Sequence, residues 1–246
     1  MTETLTDDRL LGGRVRLAQP ARGYRVAIDT VLLAAAVPAR AGERVLDAGC
    51  GVGGAALCLA TRMGGVAVTG IDADADLVRI ATTNAEENGV ADRVSFRAAD
   101  IALGGTGLPR GTFGHAMVNP PYLVAGAGRP SADGRKAAAT VENGADLGSW
   151  IEFCVSMVRD RGSVTVVHRA DRLDALVAVF AGRAGGIVVF PLWPSEGSDA
   201  KRVIVTARKG SATPTRVARG LVLHAADGAY TDEAEAVLRH GAALDI

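Results

Sequence analysis

Aromatic side chains are scarce in this sequence. Phe, Trp and Tyr make up 4% of 246 residues, so a core must rest on Ala, Val, Leu and Ile. Cysteine is scarcer still. Cys50, Cys58 and Cys154 are odd in number and form no Cys-x-x-Cys pair, which argues against a disulfide framework and leaves structural thiols. Net charge is absent, with 27 basic against 27 acidic residues. Neutrality neither requires nor forbids a nucleic-acid partner, because a local basic patch can hide in a neutral total. Apolar runs such as Val31–Val37 stop far short of the ~20 residues a bilayer crossing needs. The polar, acidic N-terminus is unlike a secretory signal. No membrane association and a cytoplasmic location are therefore expected. No His, Cys, Asp or Glu grouping has metal-ligand spacing, and no Gly-x-Ser-x-Gly elbow supports hydrolase chemistry.

What is present is a globular composition, 48% apolar and 22% charged, with strand-like and helix-like segments in alternation. Strands are read at Arg44–Asp47, Val66–Ile71, Arg93–Ala98, Phe113–Val118 and Gly162–His168. Helices are read at Ala55–Met63, Leu77–Asn88, Leu147–Arg159 and Leu173–Ala181. Late strands at Ile187–Trp193 and Arg202–Ala207 have no long helix between them and read as an antiparallel edge hairpin. Thr231–Arg239 reads as a short closing helix. The expected fold is α/β: a mostly parallel sheet with helices on both faces. Residues 1–40 are expected to be an N-terminal extension packing on a domain spanning 41–246. The Gly-rich stretch Ala125–Gly144 reads as a long, functional loop.

Two motifs carry chemistry. Val45-Leu-Asp47-Ala-Gly49-Cys50-Gly51-Val-Gly53-Gly54 follows a strand and opens a helix, where glycines permit a tight turn and a close ligand. Gly49, Gly51 and Gly54 also spell a dinucleotide fingerprint, which alone is weak. Asp47 separates the readings: a carboxylate there attracts the amino group of S-adenosylmethionine and would repel a pyrophosphate. Asp72, past the second strand, can accept from a ribose diol, and Asp100, past the third, from an adenine amino group. Each acid alone could be a helix cap.

The second motif is Asn119-Pro120-Pro121-Tyr122, closing the fourth strand on the same side. The prolines stiffen the turn, so the Asn119 side-chain carbonyl and the Pro120 backbone carbonyl are held rigidly. Two acceptors suit the two hydrogens of an –NH2 group, and Tyr122 can stack on the planar group that bears it.

Together these residues resemble the Rossmann-type amino-methyltransferases. Within them the chain is similar to the bacterial enzymes that methylate the exocyclic N6 of the adenosine beside the anticodon of a valine tRNA. Ala27–Leu33, Ala200–Ile204 and Leu221–Leu238 resemble further segments of that family, although Ile28 stands where a small residue is expected. The resemblance runs from about Gly23 to Leu238. It implies S-adenosylmethionine as cofactor, held by Asp29, Asp47, Gly49, Cys50, Gly51, Asp72, Ala73, Asp100 and Asn119. The catalytic set would be Asn119, Pro120, Pro121 and Tyr122, and the substrate a tRNA. Arg14, Arg16 and Arg22 of the basic N-terminal segment, with Lys201 and Arg202, are candidates to grip RNA phosphates or to form a solvated face. The alternative within enzymes is methylation of a glutamine amide in a peptide-release factor, although such enzymes usually carry a helical domain before the glycine loop. A non-catalytic RNA-binding module and a nicotinamide oxidoreductase are the other readings; Asn119–Tyr122 argues against the first and Asp47 against the second.

Overall fold

The structure, a computed structural model, describes residues 4–22, 25–103, 106–121 and 146–246. The chain opens with an antiparallel hairpin, β1 (Leu5–Leu10) and β2 (Val15–Pro20). Its inward side chains Val15 and Leu17 are fully buried in the main core. Helix α1 (Ile28–Ala36) follows. Its residues from Thr30 to Ala36 are all buried, so it has no polar stripe.

The alternating units then run β3 (Arg44–Ala48), α2 (Gly54–Arg62), β4 (Ala67–Asp72), α3 (Ala75–Glu87), β5 (Val94–Ala98), β6 (Phe113–Val118), α4 (Leu147–Met157), β7 (Val158–Arg169) and α5 (Leu173–Phe180). The closing elements are β8 (Ala184–Ser195), β9 (Arg202–Lys209), β10 (Arg216–Val217), β11 (Leu221–His224) and α6 (Asp232–Leu238). All the strands after the hairpin form one nine-stranded sheet, β10-β8-β9-β7-β6-β3-β4-β5, with β11 also on β8. Strands β3 to β7 are parallel. Strand β9 runs against both β7 and β8. The antiparallel pair is therefore present, but β8 is not a bare edge: β10 and β11 pair with it in parallel.

Strand alternation sorts the apolar residues into two cores. Val45, Val68, Met117 and Val167 meet α1 and α2 on one face; Leu46, Ala116, Val118 and Val166 meet α4 and α5 on the other. The strand order reverses at β3. From β3 the chain moves outward to β4 and β5, then returns to β6 on the other flank. Such a switch point opens a crevice at the carboxyl ends of the two central strands. The described helices include none long and apolar enough to cross a membrane.

Candidate active site

The glycine loop leaves β3 at the switch point. Gly49 and Cys50 donate their N–H groups to the Ile71 carbonyl at 2.8 and 2.9 Å, so the loop bends over the end of β4. Gly49, Gly51 and Gly53 have φ of 72°, 52° and 88°, a region side chains resist. Their surroundings differ. A methyl group at Gly49 would lie 2.9 Å from the Trp150 ring, and one at Gly53 2.7 Å from Phe96. At Gly51 it would meet nothing within 4 Å among the described residues, which leaves the main chain there open to them, as a ligand lying along the loop requires.

Two carboxylates frame this loop. Asp47 is buried, and its Oδ2 accepts the Ala56 N–H at 3.2 Å in the first turn of α2. Burial pushes its pKa up to about 7; the Ala56 bond opposes the rise and the charge of Asp72 adds to it. Asp72 is half-buried at the end of β4. It accepts from Gly51 N–H at 2.8 Å and from Asp74 N–H at 3.0 Å. Burial raises its pKa against those two bonds. Cys50 is buried, and burial together with the two acids drives its thiol well above the usual range, which makes it a packing residue and not a nucleophile. Ala73 is exposed beside Asp72. Asp100 is half-buried past β5 and holds a turn through Ala102 N–H at 2.8 Å. The strand ends thus carry the three predicted acids, all of them already accepting backbone N–H groups nearby.

Across the switch point, β3 pairs with β6 through Asp47–Met117 and Ala48–Val118. Asn119 directly follows the last residue of β6, one position beyond the Ala48–Val118 pair, as Gly49 follows β3. Asn119 and Pro121 are half-buried and Pro120 is buried. Tyr122 and the loop Ala125–Gly144 lie outside the described residues.

Residues 39–106 match the family described as a methyltransferase domain. A tRNA1(Val) (adenine(37)-N6)-methyltransferase of Aeromonas salmonicida is 31% identical over 211 residues, covering 85% of this chain and 86% of the relative. The chain belongs to that family. It is an S-adenosylmethionine-dependent methyltransferase with a Rossmann-like fold. The methyltransferase is also 29% identical to an rRNA N(6)-adenosine-methyltransferase of Caenorhabditis elegans over 164 residues, 67% of this chain and 69% of the relative. A release factor glutamine methyltransferase of Chlorobaculum tepidum is 38% identical over only 80 residues, 32% of this chain and 27% of the relative. Among solved structures, a predicted O-methyltransferase from Agrobacterium tumefaciens has a TM-score of 0.74 at 26% identity, covering 88% of this chain and 98% of that one.

Some of the expected site residues have protein partners of their own. Asp29 and Arg202, assigned separately to cofactor and RNA, meet each other: Arg202 Nε donates to Asp29 Oδ2 at 3.0 Å. The pair ties the first turn of α1 to the start of β9, because β9 runs antiparallel to β7 and begins at the crevice end. Arg14 and Arg16 lie elsewhere. The Arg16 N–H is bonded to Asn88, just past the far end of α3, and Arg14 donates to the carbonyls of Leu11 and Arg239. A 13-residue helix separates them from the crevice by about 20 Å. Arg22 and Lys201 are exposed on the crevice side.

Two further residues adjoin the site. Trp150 packs its ring on Gly49, and His168 is fully buried at the end of β7 beside the Asn-Pro-Pro turn. The sequence signal for either is its position within three residues of a strand or helix end facing the crevice. His115 is structural, bonded to Ser163 at 2.8 Å and Glu43 at 2.9 Å at the opposite end of the sheet.

Proposed function

We propose that this enzyme methylates the exocyclic N6 of an adenosine in the anticodon loop of a tRNA. The observation that carries the reading is the register that sets Asn119 abreast of the glycine loop at the switch point. S-adenosylmethionine bound at that loop supplies an electrophilic methyl group. Asp47 would attract its amino group, Gly49, Cys50 and Gly51 would lie against it, Asp72 and Ala73 would meet its ribose, and Asp100 its adenine. The Asn119 side-chain carbonyl and the Pro120 carbonyl would accept the two N6 hydrogens of the target. That aims the nitrogen lone pair at the methyl carbon and stabilises the positive charge that grows on nitrogen. The N6–C bond forms as the S–C bond breaks, and the proton on nitrogen then passes to solvent. No strong base is required. Tyr122 would stack on the base.

The turn favours nitrogen over oxygen as acceptor. A hydroxyl offers one hydrogen, and one of two rigid carbonyls would be left facing its lone pairs. An adenosine in a loop also leaves its stack at lower cost than one in a duplex. The reading carries a cytoplasmic location with it. The test is incubation with isotopically labelled S-adenosylmethionine and either unfractionated tRNA or release factor, followed by nucleoside and peptide mass spectrometry. Label in N6-methyladenosine is the expected result. Label in a glutamine of the release factor would replace the RNA reading with the amide one, which uses the same turn.

A further inference from the structure

We propose that His168 is a positioning residue that holds the Asn119–Pro121 turn in its working geometry; this rests on the reading of that turn as the acceptor site. Strand β7 is fixed on both flanks, by β6 and by β9. The β6–β7 register ends at Val118–Val166, and β7 runs on to Arg169. His168 therefore stands abreast of the turn just where β6 leaves the ladder.

The turn needs such a tether. Pro120 and Pro121 have no N–H, so neither can donate to β7 and continue the parallel pairing. Rigid rings fix the shape of the turn but not its tilt against the sheet, and the tilt aims the Asn119 and Pro120 carbonyls. His168 is 0% exposed, and backbone of Pro121 lies against its ring. Since Pro121 lacks an N–H, the group it can offer is its carbonyl, and in the proposed arrangement the imidazole N–H would be the donor. Val203 of β9 stands opposite His168 in the register. Burial, with the nearby cations Arg172 and Arg202, brings the His168 pKa down to about 4, against the opposing effect of the Arg169 and Pro121 backbone. The ring is thus neutral at working pH, with a single N–H. A neutral donor suits this place, because an imidazolium beside the turn would repel the positive charge growing on the target nitrogen.

The experiment compares His168→Phe, His168→Asn and His168→Gln. Phenylalanine fills the space without a donor; the two amides carry an N–H near the positions of Nδ1 and Nε2. Single-turnover methylation of unfractionated tRNA should fall about 10- to 100-fold in His168→Phe, as expected for a misaimed acceptor site. Affinity for S-adenosylmethionine by calorimetry should stay within about threefold, and one of the two amides should restore most of the rate. Combined with Asn119→Ala, His168→Phe should add no further loss, because it acts through that turn. A folded His168→Phe enzyme at wild-type rate would overturn the proposal. So would a rate loss matched by lost cofactor affinity, or one that neither amide repairs. The tRNA reading fails separately: wild type would then label release factor and not tRNA, the turn would still be the acceptor site, and the same three variants are scored on that protein.

Discussion

At Asp47 a single buried carboxylate links pH to stability and, under the proposed function, to cofactor binding. Its pKa is about 7 in the folded protein, against about 4 for an exposed aspartate. Between those values the folded protein keeps a proton that the unfolded chain has released. The contribution of Asp47 to stability therefore falls as pH rises from about 4 to 7, and is level above that. Asp47→Asn stays neutral throughout. The melting temperature of ligand-free Asp47→Asn, taken relative to wild type, should rise between pH 5 and pH 8. A difference that stays constant with pH would refute the assignment. S-adenosylmethionine carries the cation that the ionised form lacks, so wild-type affinity should tighten over the same range and that of Asp47→Asn should not. Asp72 has a different role. Its two oxygens already hold Gly51 and Asp74, so Asp72→Ala removes the proposed ribose contact and loosens the loop. A lost charge-assisted bond of roughly 1.5–3 kcal/mol predicts about ten- to a hundredfold weaker cofactor binding by calorimetry. Asn119→Ala should instead slow single-turnover methylation by orders of magnitude while cofactor affinity changes little.

At the scale of elements, the N-terminal hairpin is fastened to the glycine loop through one side chain. Asn84 of α3 is fully buried. Its Oδ1 accepts from Ala18 N–H at 2.9 Å, and its Nδ2 donates to Ala18 and Val52 carbonyls at 2.9 and 3.0 Å. Asn84→Ala leaves three backbone groups without partners in a dry site. It should cost about 2–4 kcal/mol in urea unfolding and weaken cofactor binding through the freed Val52. None of this was legible in the sequence. The central units were, because their periods are regular: Phe113–Val118 matches its strand end for end, and the strand at Arg44 ends within one residue of the expectation. The hairpin was missed because β1 is a polar strand, LTDDRL, without an alternating apolar face. Helix α1 was missed for the opposite reason, being buried on every side and showing no amphipathic period. Strands β10 and β11 have two and four residues, too few for a pattern. At the site, spacing located the acids and Asn119, since these sit at strand ends. It did not join Asp29 to Arg202, which lie 173 positions apart. It did not separate the crevice-side arginines from those at the far end of α3, because both ends of a hairpin look alike in sequence.

For the whole molecule, zero formal charge means that any grip on RNA must come from where the cations stand. The sheet has a working end, with the glycine loop, the Asn119–Pro121 turn, Arg22, Lys201 and the Asp29–Arg202 pair, and a remote end, with Arg14, Arg16 and the His115–Glu43 bond. A base brought to the crevice draws its own phosphates and its neighbours' to the working end, within a few nucleotides. Arg14 and Arg16, about 20 Å away along α3, would meet only distant parts of a folded tRNA, and Arg16 is further engaged with Asp7 at 3.2 Å. Arg202 is held by Asp29, while Arg22 and Lys201 are exposed cations at the working end among the described residues. Each phosphate neutralised releases counterions and steepens the fall of log affinity with log salt by about 0.7–0.9. Arg22→Ala with Lys201→Ala should therefore flatten the salt dependence of tRNA binding by about 1–2 units of slope and leave S-adenosylmethionine affinity unchanged. Arg14→Ala with Arg16→Ala should leave the slope as in wild type. The measurement is tRNA binding across a salt series for wild type and both double variants. A slope lost in the Arg14 and Arg16 pair alone would mean that the RNA wraps the remote end, and that the base reaches the crevice from the hairpin side.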